Sequence, residues 1–389
     1  MRRCLLILGL AIFLTGCGGG DGDAGSSGET DPPPVGEGFV GLGALIPEVA
    51  VGDDPLLVFE DVAAIREAGF EIPTEGEQDQ ADVITDLYWA LRVGHGWDGL
   101  GCERCGFDDD YAASFRDAMG YAPGAPDRVV VVGRGDGALA LLEGGIDPDE
   151  LASAFEGDDT YTVERDGDEV RISSSCEVAE FGCVEGRPSD ELGRGLHLWS
   201  DGRVTAISFD PRPVDATAAV ASSGEGGLAA GDPLMAVLAA ADDLALLVGA
   251  GGPPLDPDPW MELCSDGVAA AGDAPEVTSS LLGVRAADPR SAELVVSVDV
   301  ADESDATAAA GLLDEALAGD RCTVRGTTPT PYAEHFDVAP AEVDGVTVTV
   351  SAEVLRTFTR ATDGVEAPRG ALWNEIWFRQ DLPYATSIR

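Results

Sequence analysis

Short apolar runs alternate with amphipathic segments along this chain, and turn-forming residues separate them. The pattern is sharpest from residue 128 onward, where the valine run 129–132 and the apolar run 138–142 predict buried strands. Asp166-Gly167 and Asp201-Gly202 each lie between two alternating segments. Each pair therefore predicts the turn of a β-hairpin.

The remaining segments extend this pattern to both ends of the chain. Further strands are predicted over 55–59, 160–164, 169–173, 196–199, 204–209, 244–248, 281–286, 293–300, 322–325 and 346–350. Helices are predicted over 62–68, 81–92, 151–155, 215–221, 233–241, 305–318 and 371–379. Strands joined in hairpins favour an α+β fold over a parallel α/β sheet. The helix and strand over 149–163 are echoed over 313–324. The sequence thus predicts antiparallel, hairpin-rich sheets with helices on one side, arranged as two related units.

The first seventeen residues carry a targeting pattern. Arg2 and Arg3 precede an apolar run over 4–14, which is too short to span a bilayer. The run ends on Leu-Thr-Gly-Cys at 14–17, which resembles the lipobox of bacterial lipoprotein precursors. The resemblance implies transfer of a diacylglycerol to the Cys17 thiol, cleavage before Cys17, and a lipid-anchored protein facing the extracytoplasmic side of the cell membrane. The alternative is an ordinary secretory signal with an incidental cysteine.

Composition shifts divide the rest of the chain. Residues 1–16 form the signal peptide, and residues 17–38 are rich in Gly, Ser, Pro and acids, which predicts a flexible tether. Residues 39–127 are predicted as a mainly helical segment packed on the body. Residues 128–250 and 251–389 are predicted as the first and second α+β units.

The charge balance is strongly acidic. The chain has 23 basic residues, all of them arginine, against 72 acidic residues, for a net charge of −49. Repulsion among these charges is long-ranged at low salt and largely screened at molar salt. The pattern is typical of secreted proteins from salt-adapted organisms, and the alternative is an acidic surface tolerated at ordinary ionic strength. Nucleic acid is excluded as a partner because no basic cluster exists to hold phosphates.

Eight cysteines are present, and six remain once Cys4 is cleaved off and Cys17 is acylated. An even count outside the cytoplasm favours disulfides. Six cysteines allow fifteen connectivities. Proximity along the chain suggests the pairs Cys102–Cys105 and Cys176–Cys183, and elimination then leaves Cys264–Cys322.

Candidate chemistry is sparse. Cys102-Glu103-Arg104-Cys105 lies in a glycine-rich stretch and is interpreted as a structural staple, with redox activity or a metal site including His95 as alternatives. His197 lies in a predicted strand and is interpreted as a packed side chain rather than a general base. The sequence has no zinc-protease motif, no serine-hydrolase motif outside the tether and no phosphate-binding glycine loop. No cofactor is predicted.

Trp373 and Trp377 lie one turn apart on the predicted last helix, which favours packing on the sheet, with a glycan- or peptide-binding face as the alternative.

The first hypothesis for the function is a non-enzymatic, membrane-anchored lipoprotein that binds an envelope protein or glycan. A second is a small-ligand-binding lipoprotein with a pocket between two α+β units. A third is an envelope redox or hydrolytic enzyme using Cys102 and Cys105 or a histidine.

Overall fold

The computed structural model describes a body that lies within residues 33–389. The residues described are 38–51, 56–68, 116–122, 124–133, 137–178, 180, 182–184, 194–229, 234–235, 238–239, 247–251, 275, 277–288, 291–318, 322–323, 330–331 and 336–355. The predicted helices over 81–92 and 371–379 lie outside these ranges.

The body is built on one large antiparallel sheet. Its thirteen strands are β1 (Leu56–Asp61), β2 (Arg128–Val132), β3 (Leu139–Glu143), β4 (Tyr161–Asp166), β5 (Glu169–Ser174), β6 (His197–Ser200), β7 (Val204–Ser208), β8 (Leu247–Gly251), β9 (Val277–Asp288), β10 (Ser291–Val300), β13 (Phe336–Val338), β14 (Glu342–Asp344) and β15 (Thr347–Val354). Strands β11 (Cys322–Thr323) and β12 (Thr330–Pro331) form a separate pair. Among the described residues, six helices have defined bounds: α1 (Gly38–Gly43), α2 (Glu48–Val51), α3 (Val62–Glu67), α4 (Pro148–Phe155), α5 (Pro211–Ser223) and α6 (Glu303–Ala318).

The two halves of the sheet have a similar strand order when each is followed outward from the centre. Strands β1 and β8 are neighbours and antiparallel, with Val58 opposite Gly249. From β1 the sheet continues through β2, β3 and β7 to the edge strand β4, and from β8 it continues through β9, β10 and β15 to β13. A helix follows the hairpin in each half, α4 after β3 and α6 after β10. The predicted boundary between residues 250 and 251 falls inside β8, and the domain limits stay predictions.

Helices cover both faces of the sheet. One face, called face A, carries Val58, Leu142 and Leu294, and it packs against α3, α4 and α6. The opposite face, face B, carries Phe59 and Leu141, and it packs against α1, α2 and α5. The α+β class and the antiparallel hairpins are as predicted. The prediction that the helices lie on one side of the sheet is wrong. The central strands are apolar on both faces, so helices pack on both faces and shield them from water.

Both predicted hairpins are present, and their turns explain the local backbone. Gly167 and Gly202 have φ values of 64° and 80°, in the region that glycine adopts without strain. β4 pairs with β5 across the first turn, and β6 pairs with β7 across the second. Helix α4 starts three residues before the predicted 151–155 segment, at Pro148, because the Asp147 side chain caps it by accepting the backbone N–H of Asp149 at 2.8 Å. In the described ranges, no helix is both long enough and apolar enough to cross a bilayer.

Candidate functional site

The loop between β5 and β6 contains a disulfide, Cys176–Cys183, which confirms one of the predicted pairs. The two Cα atoms lie 6.0 Å apart. Cys176 is buried against the end of β5, where its backbone N–H donates to the Ser174 hydroxyl at 3.0 Å. Gly195 packs so closely on this cysteine that an added Cβ would lie 2.8 Å from that of Cys176. The bridge therefore fixes Cys183 to the end of β5.

Glu180 completes a cluster with this disulfide. One carboxylate oxygen of Glu180 and the two sulfur atoms all lie within 4.8 Å of one another. The carboxylate is held in place because it accepts the backbone N–H of Glu177 at 2.9 Å, while the N–H of Glu180 donates to the carbonyl of Glu177 at 3.0 Å. These three side chains are called the Cys176 loop cluster below.

Most other predicted site residues lie outside the described residues. They are Cys17, His95, Cys102, Cys105, Cys264, Trp373 and Trp377. Cys322 lies in β11, but its side chain is not described. The pairs Cys102–Cys105 and Cys264–Cys322, the lipid attachment at Cys17 and the role of the two tryptophans stay predictions.

A second group of polar side chains lies on face B beneath α5. His197 and Trp199 share this face because they are two residues apart on β6. The Trp199 indole N–H donates to Glu169 at 2.7 Å, and Arg171 pairs with Asp215 of α5 at 2.5 Å. These contacts tie β5, β6 and α5 together.

His197 is packed, as the sequence indicates, and only 7% of it is exposed. Burial lowers the pKa of His197 below its ordinary value, and the charges of Asp215 and Asp210 oppose this effect only in part. Its Nδ1 atom is buried without a hydrogen-bond partner. A catalytic triad requires a carboxylate that accepts from Nδ1, so the described contacts of His197 do not form one.

Asp210 is the N-cap of α5. Its side chain accepts the backbone N–H of Arg212 at 2.9 Å and also pairs with the Arg212 guanidinium. The hydrogen bond from Arg212 is the main reason that the pKa of Asp210 is lowered. Asp210 is thus a buried anion whose charge is compensated locally, and it belongs to the helix cap.

The outer part of face B, beyond the cover of α5, is polar. Strands β9, β10 and β15 place a row of hydroxyls and one carboxylate there, called the hydroxyl face: Ser279, Ser297, Asp299, Thr347, Thr349 and Ser351. Asp299 accepts hydrogen bonds from Ser279 and Thr347, each at 2.6 Å, so it bridges three strands. The hydroxyls of Ser297 and Thr349 lie 3.1 Å apart. Thr347, Thr349 and Ser351 are half-buried, whereas Ser279 and Ser297 are buried, so this face reaches solvent mainly along β15.

Sequence reasoning missed both Glu180 and the hydroxyl face. The signal for the face was present, because serine and threonine alternate with valine and alanine along 347–352. The signal for Glu180 was only its position between two cysteines in a chain with 72 acidic residues.

The sequence matches no protein-family model and no curated protein sequence. Among solved structures, one titled "Structure of crystal form I of TP0453" is similar to this chain with a TM-score of 0.38 and 6% sequence identity. The match covers 85% of this chain and 96% of that chain. A likeness at this level carries no argument about fold or function.

Proposed function

We propose that this chain is a membrane-anchored extracytoplasmic lipoprotein that acts by binding a component of the cell envelope and not by catalysis. The observation that carries the proposal is the order of residues 2–17, where charge, apolar core and Leu-Thr-Gly-Cys end on Cys17. The acidic Gly/Ser/Pro tether that follows is long enough to hold a body off the membrane surface, with a reach of roughly 25 Å. The Cys176–Cys183 disulfide agrees with an oxidising compartment.

The anchor is tested by labelling with a radioactive or clickable fatty acid. The natural chain is expected to incorporate label and to fractionate with membranes. Cys17→Ala is expected to lose the label and to stay in the soluble fraction. Cys4→Ala is the matched control, because Cys4 lies in the segment that the lipobox pattern implies is removed. Equal labelling of the natural chain and Cys17→Ala would overturn the anchor.

The hydroxyl face is the surface best suited to a polar partner, and we assign a glycan to it. A row of hydroxyl donors and acceptors beside a carboxylate matches the hydroxyl groups of a sugar, whereas the corresponding strands of the other half are apolar on face B and lie under α5. The face carries no exposed large apolar side chain. Binding there would rest on hydrogen bonds and would be weak for a single sugar and stronger for a repeating chain.

Cosedimentation with purified peptidoglycan sacculi tests this assignment. Cys17→Ala, which lacks the anchor, is expected to cosediment. Adding Thr347→Val and Thr349→Val should reduce the bound fraction several-fold, because these changes remove hydroxyls and preserve shape. Thr162→Val, at an exposed position on the edge strand β4, is the control and should leave binding unchanged. Binding that is absent, or that is equal in all three proteins, would contradict the glycan assignment without touching the anchor.

A further inference from the structure

We propose that the Cys176 loop cluster is a redox-gated site for a thiophilic divalent cation, for which Zn²⁺ is the natural occupant. Two sulfur atoms and one carboxylate oxygen lie within 4.8 Å of one another in a loop of eight residues. Thiolate and carboxylate are both ligands of Zn²⁺, and thiolates select it over Mg²⁺ and Ca²⁺. In the disulfide form the sulfur atoms are poor ligands, so the site is closed.

The carboxylate is already in position before any metal binds. The hydrogen bond from the Glu177 N–H fixes the Glu180 side chain toward the sulfur atoms. None of the arginines in the described part of the chain pairs with Glu180. Glu180 therefore brings a negative charge to the disulfide that a cation can compensate.

The loop can open to tetrahedral geometry without a large backbone shift. With Zn–S bonds of about 2.3 Å, two sulfurs of a tetrahedral site lie about 3.8 Å apart. The Cα atoms of Cys176 and Cys183 are 6.0 Å apart, so rotation of the two side chains can supply this separation. Gly182, with a φ of 71°, forms the turn just before Cys183 and carries no side chain that would obstruct the movement.

The chemistry balances in two steps. A dithiol reductant transfers two electrons and two protons to the bridge, the S–S bond breaks, and the reductant becomes a disulfide. The two resulting thiols then release two protons as Zn²⁺ binds both sulfurs and the Glu180 carboxylate. A water molecule takes the fourth position, because Glu180 is exposed and Cys183 is only partly buried.

Protection of the cysteines from alkylation tests the site in the unaltered chain. The protein is reduced with a phosphine, freed of reductant, and treated with iodoacetamide at increasing free Zn²⁺, and peptides are quantified by mass spectrometry. Cys176 and Cys183 should be protected together as Zn²⁺ rises. Ca²⁺ at the same concentrations should give no protection. Reading each peptide separately keeps the other cysteines of the chain from obscuring the result.

Glu180→Gln and Glu177→Gln form a matched pair for the ligand assignment. Both remove one negative charge from the same loop, but only Glu180 lies in the cluster. Glu180→Gln is expected to raise the Zn²⁺ concentration for half-protection by about tenfold, which equals ~1.4 kcal/mol. Glu177→Gln should change this concentration much less.

Two results would overturn the proposal. One is alkylation of Cys176 and Cys183 at the same rate with and without Zn²⁺. The other is an equal effect of the two glutamine substitutions, which would reduce the role of Glu180 to nonspecific charge. Neither result depends on the lipid anchor or on glycan binding.

Discussion

Protonation of the buried His197 side chain opposes folding. Burial lowers its pKa in the folded protein, whereas the unfolded chain keeps the ordinary value of about 6.5. The unfolded chain therefore binds the proton first as pH falls, and the free energy of unfolding decreases below about pH 6.5 until the folded-state pKa is passed. The stabilising contribution of neutral His197 is fully present above this range.

We expect His197→Asn to reduce the loss of stability on acidification. The free energy of urea unfolding is measured at pH 7.5 and at pH 5 for both proteins, and the difference between the two pH values should be smaller in the variant. Asp215→Asn should have the opposite effect. It removes a carboxylate that raises the His197 pKa, and it leaves Arg171 with only the longer contact to Glu169, at 3.9 Å. The same pH dependence in all three proteins would show that His197 is not the titrating group.

The contribution of Asp210 to the free energy of unfolding changes with pH for the opposite reason, because the folded protein favours its charged form. The Arg212 hydrogen bond lowers the Asp210 pKa, so the contribution of this carboxylate is present above its unfolded value of 3.8 and is lost as pH falls through the folded value. Asp210→Ala removes the N-cap of α5 and should cost about 1–2 kcal/mol in the free energy of unfolding at pH 7. Asp210→Asn keeps an oxygen acceptor and should cost less.

Arg212→Ala separates the cap from the ion pair. The Arg212 side chain is 77% exposed whereas the Asp210 side chain is buried, and in Arg212→Ala the backbone N–H of residue 212 still donates to the carboxylate. We therefore expect Arg212→Ala to cost less than Asp210→Ala in the same unfolding measurement. The reverse order would mean that the ion pair, and not the cap, stabilises the start of α5.

Residue-level prediction succeeded where the relevant contact is local in sequence. Cys176 and Cys183 are seven residues apart, so their pairing could be inferred from proximity. The cluster with Glu180 could not, because it depends on the reciprocal hydrogen bonds with Glu177 and on the turn at Gly182. The burial of His197 also needed the fold, since α5 covers it from a position later in the chain.

At the scale of elements, the turn after β3 packs closely against the loop that precedes β2. Gly145 has a φ of 66°, and a Cβ there would overlap the carbonyl oxygen of Ala125. Gly157, after α4, has a φ of 93°, but a Cβ there meets nothing within 4 Å. The two glycines therefore share a backbone conformation that disfavours other residues and differ in the space around them.

Gly157→Ala should lower the free energy of unfolding by about 1–2 kcal/mol, which is the ordinary penalty for an L-residue at positive φ. Gly145→Ala should lower the free energy of unfolding by about 1–3 kcal/mol more than Gly157→Ala does, because the turn after β3 or the loop at Ala125 must move. Chemical denaturation of both variants under one condition measures the difference. Equal costs would show that the loop at Ala125 yields without strain.

The prediction of the elements was better than the prediction of their arrangement, for a physical reason. Hairpins are fixed by short turns such as Asp166-Gly167, so sequence neighbours become spatial neighbours. The four valines of β2 are buried on both faces of the sheet, and such a strand shows no alternation from which to assign sides. The pairing of β1 with β8 joins residues about 190 positions apart, and no local pattern indicates it.

At the scale of the whole molecule, the net charge of −49 is the dominant electrostatic property. The described ion pairs compensate a few carboxylates each, as Arg128 does for Glu143 at 2.9 Å and Asp61 at 3.4 Å. With 23 arginines for 72 acidic residues, most carboxylates are left to repel one another. Unfolding separates these charges, so repulsion acts against the compact state and falls when salt screens it.

We therefore expect the melting temperature to rise with salt. The Debye length falls from about 30 Å at 0.01 M to about 3 Å at 1 M, so the repulsion across the body is largely removed. A gain of roughly 1–2 kcal/mol would raise the melting temperature by about 1–3 °C in a chain of this size, because the entropy of unfolding grows with chain length. Calorimetry or circular dichroism in NaCl from 0.01 M to 1 M measures the rise.

Sucrose at equal osmolality is the control, because it stabilises compact states by exclusion from the surface without screening charge. NaCl should raise the melting temperature more than sucrose, and most of the rise should occur as the Debye length falls below the spacing of neighbouring carboxylates. A melting temperature that stays flat or falls in NaCl would mean that the acidic surface is tolerated at ordinary ionic strength. The salt-adapted interpretation would then be wrong, and the excess of acid would need another explanation.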